Sequence, residues 1–110
     1  MAMDQFIAAW LPIALGGVMI GAGAINFIGP GSVRRSFARW GYPAGFHRVT
    51  GGLEVMAGLL LLMPATSRAG AIGSGAILAA AVVTLIRHRD WAHLPGAGVL
   101  TAMAAVAILG

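Results

Sequence analysis

The sequence predicts an all-α integral membrane protein, a four-helix bundle with a short interfacial helix between its first two spans. Two observations carry this. Of 110 residues, 59% are hydrophobic and only 9% charged, far too apolar for a soluble domain of that size. The apolar residues also fall into four separate segments, and in lipid each must satisfy its backbone hydrogen bonds within its own helix. The whole chain, 1–110, is expected to form a single membrane domain.

The spans are expected over about 6–28, 46–63, 69–86 and 94–109. Each is at or somewhat below the roughly 20 residues that a helix needs to cross about 30 Å of hydrocarbon, the last being the shortest. The leading "MAMDQ" holds an acid and no basic residue. That is the wrong start for a signal peptide, so the first segment is expected to be retained as a span. Small residues within the spans predict close helix contacts, either inside the bundle or in a homo-oligomer. Gly17 and Gly21 form a GxxxG, Gly75 and Ala79 a related pair, and Gly51 and Gly58 share one face of the second span.

The first connection has its own pattern. In "SVRRSFARW", Val33, Phe37 and Trp40 fall at i, i+4 and i+7, with Arg34, Arg35 and Arg39 on the other side. This is the layout of a short helix lying in the membrane interface, ended by "GYP" at 41–43. Arg34, Arg35, Arg39, Phe37, Trp40 and Tyr42 are its expected anchors to the bilayer and its anionic headgroups.

All seven basic residues are arginines set between apolar segments rather than gathered in a patch, which excludes nucleic acid as a partner. Arg34, Arg35, Arg39 and Arg48 lie in or beside the first connection, Arg87 and Arg89 in the third, and only Arg68 in the second. This asymmetry predicts a multi-pass protein with the first and third connections in the cytoplasm and both termini outside. Cysteine is absent. Disulfides, thiol redox chemistry and Cys-ligated metal are therefore excluded, and any redox role needs a bound cofactor or a partner subunit.

The second span carries an acid near its centre. On a helix, His47, Thr50, Gly51, Glu54, Ala57 and Gly58 share one face, and Val49, Leu53, Met56, Leu60 and Met63 the other. The first face should turn inward, which places Glu54 inside the bundle. An ionised carboxylate there is costly, so it needs either a proton or partners. By depth, the expected neighbours are Gly16 and Gly17, Ser74 and Thr101, with Asn26, His47 and Thr84 forming a second polar level nearer the cytoplasm. The favoured reading is a ligand-binding or proton-relay site of Glu54, His47, Thr50, Asn26, Thr101 and Ser74, because intramembrane acids are functional by default. A neutral Glu that fixes helix packing, or a contact to a partner subunit, are the other readings. No metal or haem is expected, since ligands are few and His88 and His93 sit at the third connection, away from His47.

The run "FARWGYP" (37–43), then "VTGGLEVMAGLLLLMP" (49–64), then "SRAGAIGSGAIL" from Ser67 resembles the small DoxX-like membrane proteins over roughly residues 20–90. There an aromatic-Gly-x-Pro element precedes a helix with Gly-x-x-Glu, a short turn with proline and an Arg-x-Gly helix start. Carried over by residue, the marked positions are Gly41, Pro43, Gly51, Glu54, Pro64, Arg68 and Gly70. The resemblance implies a four-helix membrane fold in the bacterial inner membrane, and an association with thiosulfate:quinone oxidation.

The function expected from both lines is a non-enzymatic subunit, or a binding protein for a quinone-like molecule, serving a membrane redox partner. A small proton-coupled exporter of the multidrug-resistance type is an alternative, although in those proteins the essential acid lies in the first helix. A ligand-free scaffold or assembly factor is the other. A lone enzyme is least supported, because nucleophile, base and orienter do not converge.

Overall fold

The computed structural model describes residues 2–110, and among them it is all-α, with no strand. Five helices follow one another: α1 (Met3–Ile28), α2 (Gly31–Arg39), α3 (Phe46–Leu62), α4 (Ser67–Arg87) and α5 (Leu94–Leu109), with a single 3-10 turn, Pro64–Thr66, leading into α4. Proline and glycine set the ends. Gly29 closes α1 in the left-handed conformation, donating its N–H to Ile25 O, and Pro95 sits in the first turn of α5, where a missing N–H costs nothing.

Helix α1 and the segment Pro64–Arg87 are long and apolar enough to cross a membrane, yet only 22% and 28% of their apolar windows are buried within the molecule. The core helix of a soluble protein would bury most of such a window. Here Trp10, Ile25, Val49, Met56 and Val83 are each more than half exposed, a surface that suits lipid rather than water. At 17 and 16 residues, α3 and α5 are shorter.

Helix α3 is central, packed on α1 along one side and on α4 along the other, while α5 lies on α4 and closes lightly against α1. The α1–α3 contact is built from two glycine pairs in antiparallel register. A Cβ on Gly16 would sit 3.0 Å from Gly58 O, and one on Gly23 would sit 2.7 Å from Gly51 O. Both helices repeat glycine at seven-residue spacing, so the backbones touch at two levels, two turns apart. Gly70 does the same for α4, where a Cβ would meet Ala57 O at 2.8 Å.

The GxxxG expected to pack, Gly17 and Gly21, is not the one the fold uses. A Cβ at either position would meet nothing within 4 Å, because each residue turns the helix by about 100° and the buried face runs through Leu15, Gly16, Met19 and Gly23. Gly51 and Gly58 lie against α1, and a Cβ on Gly75 would lie 3.2 Å from the Ile108 side chain.

Candidate functional site

The site begins with the α3 stripe. His47, Gly51, Glu54, Ala57 and Gly58 are buried on α3, Thr50 is half-buried, and Val49, Leu53, Met56 and Met63 face outward. Close approach of α1, permitted by the glycine pairs, sets Asn26 against this stripe. Its side-chain amide donates to Glu54 Oε1 at 2.5 Å. Its backbone carbonyl lies 2.8 Å from His47 Nδ1. A carbonyl only accepts, so that geometry places the imidazole proton on Nδ1. Asn26 is thus the hub of the polar group, tied to the histidine by its main chain and to the acid by its side chain.

Gly29 makes room for this arrangement. Its φ of +68° is one that side chains rarely adopt, and a Cβ there would run into the His47 ring. The left-handed end of α1 therefore both caps the helix and seats the histidine.

A cavity of about 380 Å³ opens between the helices beside Glu54. Its polar lining comes from Asn26, Thr50, Glu54, Tyr42, Thr84 and His93, and its walls from aromatic and aliphatic side chains of α2 to α5. Asn26 makes the one hydrogen bond to Glu54 among the described residues, on Oε1. The other oxygen, Oε2, has no hydrogen-bond partner among the described residues. An aromatic cluster forms the far end, with Phe37 ring centroids 5.3 Å from Trp40 and 5.8 Å from Tyr42, and Tyr42 stacked on Phe46 at 4.7 Å.

This cluster shows what the aromatic side of α2 touches within the molecule. Its arginines Arg34, Arg35 and Arg39 are exposed as an interfacial helix requires, but Phe37 is buried. Trp40 donates its indole N–H to Asp90 at 3.1 Å, and the Tyr42 hydroxyl pairs with that of Thr84 at 2.6 Å. Phe37 is thus packed inside the molecule, and Trp40 and Tyr42, half-buried, have partners within it.

Two expected members lie elsewhere. The Thr101 hydroxyl donates to Ala97 O of its own helix at 2.7 Å, the local bond that helical threonines favour. Ser74 is fully buried with no hydrogen-bond partner among the described residues, and neither residue lines the cavity. The polar line from Glu54 toward His47 also runs through Asn26 rather than Thr50. No group of three His, Asp or Glu that could hold a metal ion occurs among the described residues.

The residue that sequence reasoning missed is Asp90. Just past α4, Arg89 takes φ 52° and the Asp90 N–H returns to Leu85 O at 2.9 Å, a left-handed turn that brings Asp90 back over the helix end. There it accepts from Arg39 at 3.1 Å and from Trp40 at 3.1 Å, and His93 Nδ1 lies 2.8 Å away. The knot joins α2 to the α4–α5 connection across the cavity mouth. The one available signal was that Asp90 is the only acid among six arginines at that end of the chain's turns.

Asp90 is held below its ordinary value of 3.8, to about 2, chiefly by the hydrogen bond from His93, then by those from Trp40 and Arg39, against some loss of solvation. A depressed carboxyl stabilises the folded form above its unfolded value and loses that contribution as pH falls through its folded one. The knot is therefore expected to hold at neutral pH, to contribute less stability as pH falls below 3.8, and to release as pH falls through about 2, seen as a change in Trp40 emission. Asp90→Asn should show the released emission already at pH 7. An identical spectrum in wild type and variant across that range would mean that the knot does not position Trp40.

Long apolar helices with lipid-suited faces, wrapped around a buried polar hub, define a small helical membrane protein. The sequence profile of the DoxX-like family matches residues 10–107, and the chain belongs to that family. The match reaches well into α5, beyond the residues that carried the resemblance. No curated protein and no solved structure matches the chain.

Proposed function

We propose that the protein is a four-span bundle of the bacterial inner membrane, termini outside, that binds a quinone-like molecule in the Glu54 cavity. It serves a membrane redox partner and is not a catalyst by itself. The observation that carries this reading is the pairing of one half-satisfied carboxyl with an apolar, aromatic-walled cavity. Such a cavity, of about 380 Å³, lies within the roughly 300–1,000 Å³ of small-molecule sites, which combine apolar walls with a few placed polar groups. With Oε1 occupied by Asn26, Oε2 can accept from a hydroquinone hydroxyl or, when protonated, donate to a quinone carbonyl. A planar ring fits beside Phe46 and Trp40, both of which line the space.

The six arginines of the first and third connections support the orientation, since the helix order brings both connections to the α2 end of the molecule. Family membership supports the redox association.

The test uses Trp40 as the reporter, with Trp10 and Trp91 replaced by Phe. Titration of the solubilised protein with a short-chain quinone should give saturable quenching. Glu54→Leu should weaken the apparent affinity roughly tenfold, the worth of one hydrogen bond. In infrared difference spectra the wild-type carboxyl band should shift on quinone addition. Unsaturable quenching, or equal affinity in wild type and variant, would overturn the reading.

A further inference from the structure

At the opposite end of the molecule from α2, between the start of α1, the start of α4 and the end of α5, lies a second cavity of about 450 Å³. It has opposite charges at one end, where Asp4 and Arg68 both line it together with Ser67. Among the described residues neither Asp4 nor Arg68 makes an ion pair. An acid and a base thus line one cavity without bridging each other, which leaves both charges open to a ligand.

The backbone adds a third polar feature. Pro12 lies inside α1 and has no N–H, so the carbonyl of Ala8, four residues earlier, receives no helical hydrogen bond. Ala8 and Pro12 both line this cavity. A main-chain carbonyl that lacks its helical donor within a membrane is costly unless another donor reaches it. Beyond the charges the walls are apolar, from Leu11 to Val106. Seven residues separate Asp4 from Leu11, about 10 Å along the helix. The cavity therefore passes from charged to apolar over the distance from headgroup to acyl chain.

We infer that this cavity is a site for one phospholipid with a primary-ammonium zwitterionic headgroup, of the phosphatidylethanolamine kind. Arg68 binds the phosphate, and Asp4 with the Ala8 carbonyl accepts from the ammonium. The acyl chains run along the apolar wall. The donor count selects the headgroup. A quaternary ammonium has no N–H to give the Asp4 carboxylate or the Ala8 carbonyl, and an anionic glycerol headgroup leaves Asp4 without a counter-charge. The site is separate from the Glu54 cavity, so it stands whether or not that cavity binds a quinone.

Native mass spectrometry of the full chain, released from micelles doped equally with phosphatidylethanolamine, phosphatidylcholine and phosphatidylglycerol, tests it. Wild type should retain phosphatidylethanolamine in roughly tenfold excess over phosphatidylcholine, the scale of a charge-assisted hydrogen bond. Asp4→Asn should erase that excess while keeping phosphate-dependent binding. Arg68→Gln should lower retention of all three lipids, and Arg68→Lys should restore part of it. Asp4 and Arg68 are exposed, so their variants are expected to fold, and retained thermal unfolding would establish this. Equal retention of the three lipids by wild type, or an excess unchanged in both Asp4→Asn and Arg68→Gln, would overturn the inference.

Discussion

Gly51→Ala is expected to destabilise the protein by about 1–3 kcal/mol, the cost of inserting a methyl where the surroundings cannot yield. The added Cβ would sit about 2.5 Å from Gly23 O and against the main chain of Phe27. Both obstacles are backbone of a continuous helix, so relief requires moving all of α1. Since α1 carries Asn26 and α3 carries Glu54, separating the helices should also break their hydrogen bond. The same substitution at Gly17 or Gly21 meets open space and should leave the monomer unchanged or firmer by up to about 1 kcal/mol through helix propensity. Thermal unfolding of the purified variants reads both effects. A Gly51→Ala protein as stable as wild type would contradict the packing of α1 on α3. If Gly17→Ala or Gly21→Ala instead abolishes a crosslinked dimer at unchanged monomer stability, the outward GxxxG belongs to a homo-oligomer.

Asn26→Leu should cost about 1–3 kcal/mol, because it strands the Glu54 carboxyl without its one partner. The His47 bond should survive, since it goes to the Asn26 backbone carbonyl. Removing both side chains should therefore be cheaper than the sum of the single changes. The coupling in a double-mutant cycle of Asn26→Leu and Glu54→Leu should lie near or above about 0.6 kcal/mol, the mean for hydrogen bonds between membrane helices, and not beyond about 1.7 kcal/mol, their maximum. Strict additivity would mean that the pair does not interact in the folded protein. The cycle also separates a structural Glu54 from a binding one, since quinone affinity depends on Glu54 under the proposed function while stability depends on the pair.

How much of this was legible in the chain varies by element. Periodicity within the second span separated its buried face from its outward one, because residues on one helix keep a constant angular relation whatever surrounds them. The same logic placed the arginines of α2 outside and its aromatics on one side. It did not say what those aromatics would touch within the molecule. Depth counting put Ser74 and Thr101 level with Glu54 and set Asn26, His47 and Thr84 at a second level nearer the cytoplasm, yet it is Asn26 that bonds the acid. Equal depth leaves open the direction in which a side chain turns about its own helix. Thr101 bonds its own backbone and Ser74 lies fully buried without a partner among the described residues.

The chain's own residues settle that it forms apolar helices, roughly where these start and stop, and which stripe of α3 is polar. These are local properties of hydropathy, proline and glycine. Only the tertiary structure decided that Gly16 and Gly23, not Gly17 and Gly21, meet α3, that Asn26 is the partner of Glu54, and that Asp90 ties α2 over the cavity. Those facts depend on the rotation of one helix against another, where a step of one residue moves a side chain by about 100°. That rotation is settled by the joint packing of all the helices, which no single segment encodes.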